Sequence, residues 1–189
     1  MSDRRHYRMI DVGAKPPSQR VAVATGHIRT SPATFERLRD ATLPKGDPLR
    51  LAEVAGVLAA KKTADLIPLC HPLGLDHAGV AFRLEPDLPG VRVFAKTSTS
   101  ARTGVEMEAL TAASTALLTI WDLAKQVQPD LEIGGIRLLI KQGGKSGRFV
   151  DPAGLPELPE GFEVPYIGTD AATASEEHRT LESTAGETS

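Results

Sequence analysis

The chain has 189 residues, 41% of them hydrophobic, and a formal net charge of −2 at neutral pH. This length is enough for one domain with a buried core, and because no run of about 18 apolar residues occurs, we expect no membrane-spanning helix. Aromatic residues make up only 4% of the chain, which argues against a surface that stacks nucleic-acid bases, and the single cysteine excludes an internal disulfide bond.

The first part of the chain carries one strand signal and two helix signals. The charged start, MSDRRHYRMI, lacks the apolar stretch of a secretory signal, so we expect a cytoplasmic protein. Residues 20–30 are small and β-branched, which favours a strand. Ser31 and Asp47 are each followed by proline, a pattern typical of helix starts. The second helix, over 49–67, is predicted to bury the face that carries Leu51, Val54, Ala55 and Leu58.

The remaining elements complete a recognisable order. Residues 77–86 and 90–100 alternate apolar with other side chains around the turn DLPG, which predicts a β-hairpin. Residues 104–128 form the longest helix signal, and residues 131–141 form a last strand. Because the two consecutive helices count as one crossover, the order β-α-β-β-α-β predicts an α+β, ferredoxin-like fold. Its antiparallel sheet would have helices on one face.

Charge divides the chain into two parts. Residues 151–189 hold nine acids and one base, whereas residues 1–150 carry a net charge of +6. The acidic part is rich in proline, glycine, serine, threonine and alanine, so we expect a basic domain over 1–150 and an acidic, disordered tail over 151–189. The basic domain indicates either an anionic ligand or simply a solvated surface with spare lysines.

The stretch LIPLCHPLG places the only cysteine, Cys70, beside His71 between two prolines. A zinc site needs three or four ligands, and too few stand nearby. A cysteine nucleophile needs a base, but neighbouring side chains on an extended segment point to opposite faces. We therefore interpret Cys70 as a packed side chain, and His71 as either a rigidly held ligand contact or a core histidine.

Two further motifs lie on the long helix. Glu106 and Glu108 stand in its first turn, where the helix dipole favours acids and where carboxylates also accept hydrogen bonds from a purine-like ligand. Asp122 and Lys125 lie three residues apart on one face of this helix. This pair is either a surface ion pair or a general acid/base couple.

Several loops pair a basic residue with glycine or proline. KQGGKSG resembles a phosphate-binding nest, although it lacks the spacing of a P-loop. PKGDP and VGAKPPSQR are similar loops, and each alone is weak evidence because loop lysines are usually just solvated. The basic residues concerned are Lys15, Arg20, Lys45, Lys141 and Lys145.

Four segments together resemble the MoaC family of cyclic pyranopterin monophosphate synthases. They are MIDVGAKPPSQRVAVATGHIRT, KGDPLRLAEVAGVLAAKKTADLIPLCHPL, TGVEMEALTAASTALLTIWDLAKQVQ and RLLIKQGGKSG. The resemblance implies a ferredoxin-like subunit in a hexamer of three dimers, with active sites at dimer interfaces. It implies a lyase of molybdenum cofactor biosynthesis that converts 3′,8-cyclo-7,8-dihydroguanosine 5′-triphosphate to cyclic pyranopterin monophosphate and pyrophosphate.

The resemblance also implies roles for individual residues. The family's catalytic acid/base pair corresponds to Asp122 and Lys125. No cofactor is expected, and any Mg²⁺ accompanying pyrophosphate would have no dedicated protein site. One departure is Ala64, which stands where the family commonly has tryptophan. The alternative to an enzyme is a non-catalytic nucleotide-binding regulatory module of the same fold. The implied substrate-binding residues are Leu69, Cys70, His71, Glu106, Met107, Glu108, Lys15, Arg20, Lys45, Lys141 and Lys145.

Overall fold

The computed structural model describes residues 7–165, which form a five-stranded sheet with helices packed on one face. The sheet order is β2-β3-β1-β4-β5, and every neighbouring pair is antiparallel. The first four strands confirm the predicted α+β, ferredoxin-like arrangement, and β5 adds a short edge strand. The elements are β1 (Ser18–Arg29), α1 (Pro32–Arg39), α2 (Pro48–Ala60), α3 (Thr63–Leu66), β2 (His77–Glu85), β3 (Gly90–Ala101), α4 (Glu106–Ala124), β4 (Glu132–Gln142) and β5 (Phe149–Val150).

The two predicted helix starts are confirmed in their hydrogen bonds. The Ser31 hydroxyl accepts a hydrogen bond from the backbone N–H of Thr34 at 3.3 Å. The Asp47 carboxylate accepts hydrogen bonds from the backbone N–H groups of Leu49 and Arg50 at 3.0 and 3.3 Å. Because the first turn of a helix leaves these N–H groups unpaired, both caps fix where the helices begin.

The second helix is shorter than predicted. The segment 49–67 is divided into α2 and α3, and at the break the Thr63 hydroxyl donates to the carbonyl oxygens of Ala59 and Ala60 at 3.3 and 3.0 Å. The long helix α4 likewise ends at Ala124 and not at residue 128. Within residues 7–165, none of the helices has the length and apolar content needed to cross a membrane.

The predicted buried face of α2 is wrong. Leu51, Val54 and Leu58 are 51%, 65% and 56% exposed, and we call them the α2 stripe. The buried face instead carries small residues such as Gly56, where an added Cβ would lie 3.0 Å from the carbonyl oxygen of Ala112 on α4. Since α4 is also rich in alanine, the two helices approach closely through small side chains, and the larger ones are left facing outward.

The sheet is covered on both faces. Ala113, Leu117 and Ile120 of α4 pack on one face. The other face is covered by residues 151–165, the C-terminal strap, whose Phe162 and Val164 pack among Val23, Phe94, Leu139 and Ile140. The predicted boundary after residue 150 therefore does not mark the end of the packed chain. The rest of the predicted tail, 166–189, lies outside the described residues.

Candidate active site

A cavity of about 510 Å³ opens at the end of the sheet where β1 begins and where β3 and β4 end. Three distant segments of the chain, 15–20, 102–106 and 141–146, converge there, and each brings at least one basic side chain. One carboxylate, that of Glu106 at the start of α4, also lines it. We call this cavity the cationic pocket, and its basic residues are Lys15, Arg20, Arg102, Lys141 and Lys145.

Two glycines make the pocket's geometry possible. Gly143 and Gly144 have φ angles of +106° and +78°, which glycine adopts without strain. A Cβ at position 144 would also collide with the guanidinium group of Arg20, which crosses this loop. The ammonium group of Lys141 lies 3.1 Å from the carboxylate of Glu106. Because the part of the chain that the structure describes brings five cations and one carboxylate to this pocket, the pocket is suited to a polyanion.

A second cavity, of about 230 Å³, adjoins the cationic pocket and shares Lys15, Thr103, Gly104 and Glu106 with it. We call it the carboxylate cleft, because Glu106 and Glu108 both line it. The segment that contains the only cysteine forms another of its walls. The predicted residues that line this cleft are Leu69, Cys70, His71, Glu106, Met107 and Glu108.

Burial raises the pKa of two groups that line the cleft. Glu108 is only 4% exposed, and loss of solvent together with the nearby charge of Glu106 raises its carboxyl pKa above the ordinary value of 4.5. Burial and the charge of Glu108 likewise raise the thiol pKa of Cys70, so this thiol stays protonated at neutral pH. Both influences disfavour the thiolate, so neither activates Cys70 as a nucleophile.

His71 holds the N-terminal segment against the cleft. Its Nε2 atom lies 2.9 Å from the carbonyl oxygen of Ile10, so Nε2 carries the proton and donates this hydrogen bond. Ile10 and Val12 line the same cleft. The contact therefore orders the part of the chain that leads to Lys15 in both cavities.

Asp122 forms ion pairs with two lysines, Lys125 and Lys45. The Asp122 carboxylate lies 2.6 Å from the ammonium group of Lys125 and 2.8 Å from that of Lys45, which also donates to the Asp122 carbonyl oxygen. These hydrogen bonds lower the pKa of Asp122 to about 2, so the carboxylate is ionised throughout the neutral range. We call these three residues the lysine–aspartate cluster.

The structure thus separates the predicted site residues into two groups. Lys45, expected to bind substrate beside the other loop lysines, instead contacts the predicted catalytic pair. Asp122 follows Glu106 by sixteen residues on α4, which at 1.5 Å per residue is about 24 Å. Within one chain, the lysine–aspartate cluster therefore lies far from the cationic pocket and carboxylate cleft.

Sequence reasoning missed Arg102. This residue is exposed at the end of β3 and lines the cationic pocket together with Thr103 and Gly104. The signal was present in the sequence, because Arg102 stands two residues before Gly104, shortly before the start of α4. Among residues 7–165, no group of three or more His, Cys, Asp or Glu side chains is placed to hold a metal ion.

Comparison with known proteins gives a consistent result. The MoaC family profile matches residues 9–144. A curated protein of Jannaschia sp. named cyclic pyranopterin monophosphate synthase is 50% identical over 146 residues, covering 77% of this chain and 90% of that protein. Proteins of the same name from Cereibacter sphaeroides and Roseiflexus sp. are 52% and 50% identical. They cover 78% and 80% of this chain and 92% and 99% of their own lengths.

Proposed function

Because the chain belongs to the MoaC family, we propose that its cationic pocket and carboxylate cleft together bind a cyclised guanosine triphosphate. The chain is a lyase of molybdenum cofactor biosynthesis. It converts 3′,8-cyclo-7,8-dihydroguanosine 5′-triphosphate to cyclic pyranopterin monophosphate and pyrophosphate. The relatives' shared name favours this activity over a nucleotide-binding regulatory module of the same fold.

The observation that supports the binding mode most strongly is the continuity of the two cavities. Five cations offer charge-assisted hydrogen bonds to a triphosphate in the cationic pocket. The adjoining carboxylates of Glu106 and Glu108 accept hydrogen bonds from the amino and ring N–H groups of the guanine-derived part. Shared residues such as Lys15 lie between these two parts of the substrate. Arg102 joins the predicted phosphate ligands in this proposal.

The lysine–aspartate cluster is proposed to carry out the proton transfers. Since Asp122 is ionised across the neutral range, it acts as a hydrogen-bond acceptor that orients the two ammonium groups. A lysine of the cluster then supplies the proton to the rearranging ring or removes one from it. Cyclic phosphate formation follows when a ribose-derived hydroxyl attacks the α-phosphorus. The leaving pyrophosphate is stabilised by the cations of the pocket.

The separation of the two groups supports a homo-oligomer in which a second copy completes each site. Leu118 is 59% exposed and stands one helical turn from Asp122, and the α2 stripe begins a few residues after Lys45. This apolar surface beside the lysine–aspartate cluster is of the kind that subunit interfaces bury. We propose a hexamer of three dimers, as the family resemblance implies.

The proposed reaction uses proton transfer and phosphate displacement, so we propose that no resident cofactor takes part. Any Mg²⁺ would accompany the phosphate groups and not a set of protein ligands. The precursor is a guanosine triphosphate derivative, and we therefore propose a cytoplasmic location.

The function is tested by incubating the purified chain with the cyclised nucleotide. We expect pyrophosphate and cyclic pyranopterin monophosphate to appear in equal amounts. A chain with Lys141→Ala in the cationic pocket should release pyrophosphate much more slowly, because it lacks one of the pocket's cations. Tight binding of the nucleotide by the unaltered chain without any release of pyrophosphate would indicate the regulatory module instead.

A further inference from the structure

The described chain ends near the cationic pocket, on the opposite face of the sheet. The Val164 carbonyl oxygen accepts a hydrogen bond at 3.1 Å from Nη1 of Arg148, and this Nη1 also donates to the side-chain oxygen of Gln142 at 3.0 Å. Gln142 is the last residue of β4 and directly follows Lys141 of the pocket. The described chain therefore ends at the same end of the sheet as the pocket.

The C-terminal strap fixes this exit point. Phe162 and Val164 are 9% and 7% exposed in the apolar cluster on the sheet. The Lys96 ammonium group donates to the carbonyl oxygens of Gly161 and Glu163 at 2.7 and 2.9 Å. The position of the last described residues is thus set by buried side chains and by hydrogen bonds to the strap.

The segment that extends from this point is acidic. Residues 166–189 contain five acids, Asp170, Glu176, Glu177, Glu182 and Glu187, against one arginine. They lie beyond the residues that the family profile matches. A chain of this length spans at most about 80 Å when fully extended, which is long enough to connect Pro165 to the pocket. A group tethered by such a chain has an effective concentration on the order of millimolar.

The pocket is also the cationic region best able to attract this segment. Among residues 7–165, the pocket residues Lys15, Arg102 and Lys145 make no ion pair. On the strap side of the sheet, by contrast, Arg92 and Arg137 are paired with acids of the described chain. Unpaired cations that face one cavity offer the larger electrostatic attraction to an anion.

We propose that residues 166–189 are an intramolecular anionic competitor that binds the cationic pocket and weakens its affinity for a polyphosphate. The proposal rests on the proposed function, since it assigns the phosphate groups to this pocket. The competition is electrostatic, so it is strongest at low ionic strength and is screened by salt. The segment thereby raises the substrate concentration at which the enzyme reaches half its maximal rate.

The test compares three full-length proteins by calorimetric titration with inorganic triphosphate. The first is the unaltered chain. The second carries Asp170→Asn, Glu176→Gln, Glu177→Gln, Glu182→Gln and Glu187→Gln. The matched control removes the same number of charges from exposed acids elsewhere, through Glu36→Gln, Glu53→Gln, Asp87→Asn, Asp130→Asn and Glu132→Gln.

At about 0.02 M salt we expect the segment variant to bind triphosphate about threefold or more tightly than the unaltered chain, with the difference lost near 0.5 M. The control should show at most a small fraction of this gain. Equal affinities of the unaltered chain and the segment variant, or an equal gain in the control, would overturn the competitor while leaving the pocket as a phosphate site. Failure of all three proteins to bind triphosphate would overturn both the competitor and the proposed phosphate site.

Discussion

Glu108 lines the carboxylate cleft, and its buried carboxylate lowers the stability of the folded protein at neutral pH. Its carboxyl pKa is raised by burial, so the folded protein binds the proton of Glu108 more tightly than the unfolded chain does. The stabilisation that this proton supplies is complete below the ordinary value of 4.5 and is lost as pH rises through the folded pKa. At neutral pH, the buried carboxylate is therefore destabilising.

Glu108→Gln is predicted to raise the free energy of unfolding at pH 7.5 and to have little effect at pH 4, because the amide never needs to ionise. Urea unfolding at both pH values measures this. The matched control is Glu106→Gln, whose carboxylate is less buried and pairs with Lys141. A gain that is the same at both pH values would show that ionisation is not the cause.

Asp122 and Lys125 are exposed enough to be replaced without disturbing the fold, with side chains 49% and 43% exposed. Asp122→Asn and Lys125→Ala are each predicted to lower kcat by about a hundredfold or more, the magnitude typical of general acid/base groups. Steady-state kinetics, with circular dichroism to verify folding, measures the effect. Lys61→Ala, on an exposed lysine outside the lysine–aspartate cluster, is the control. Near-normal turnover of either cluster variant would contradict the assignment.

The helix α2 shows where sequence patterns are informative and where they are not. The cap signals at Ser31 and Asp47 depend only on local hydrogen bonds, so the sequence predicted these helix starts correctly. The buried face of α2 depends on its neighbour. Gly56 packs against α4, whose side chains at this contact are also small. This close contact outweighs burial of the larger Leu58, which is exposed. Hydrophobic periodicity alone does not contain this information.

The exposed α2 stripe leads to a prediction about assembly. Replacing Leu51, Val54 and Leu58 by glutamine should shift the protein towards smaller species while leaving each subunit folded, because these side chains contribute little to the subunit core. Sedimentation velocity measures the mass. A control with Glu53→Gln, on the same exposed helix, should retain the mass of the unaltered protein. An unchanged mass for the triple variant would exclude this face from the interface.

At the scale of the whole molecule, the C-terminal strap packs on the sheet although its amino-acid composition predicted disorder. Residues 151–165 resemble the acidic segment that follows them, rich in proline and glycine, yet Leu158, Phe162 and Val164 are spaced to pack on the sheet. The loop cations were predicted individually, and four of them, Lys15, Arg20, Lys141 and Lys145, line the cationic pocket. Arg102 and the distance between the pocket and Asp122 required the three-dimensional fold. The proposed contribution of a second chain is likewise not visible in local sequence patterns.

The strap is predicted to contribute to global stability. Phe162→Ala removes a ring that is 9% exposed, and it should lower the free energy of unfolding by about 3 kcal/mol. Thermal and urea unfolding measure the loss. Leu155→Ala, at a strap residue that is 41% exposed, should cost far less. Equal and small effects of both substitutions would mean that the strap does not stabilise the sheet.

The most direct test of the proposed shared site is a mixture of two severely impaired proteins. Lys125→Ala is expected to disable the lysine–aspartate cluster, and Lys141→Ala is expected to impair the cationic pocket. If each site combines the pocket of one subunit with the cluster of another, dissociating and reassociating an equal mixture should restore activity to about a quarter of the unaltered enzyme. Mixed oligomers that form but regain no activity would show that one chain supplies the entire site, which would contradict the account.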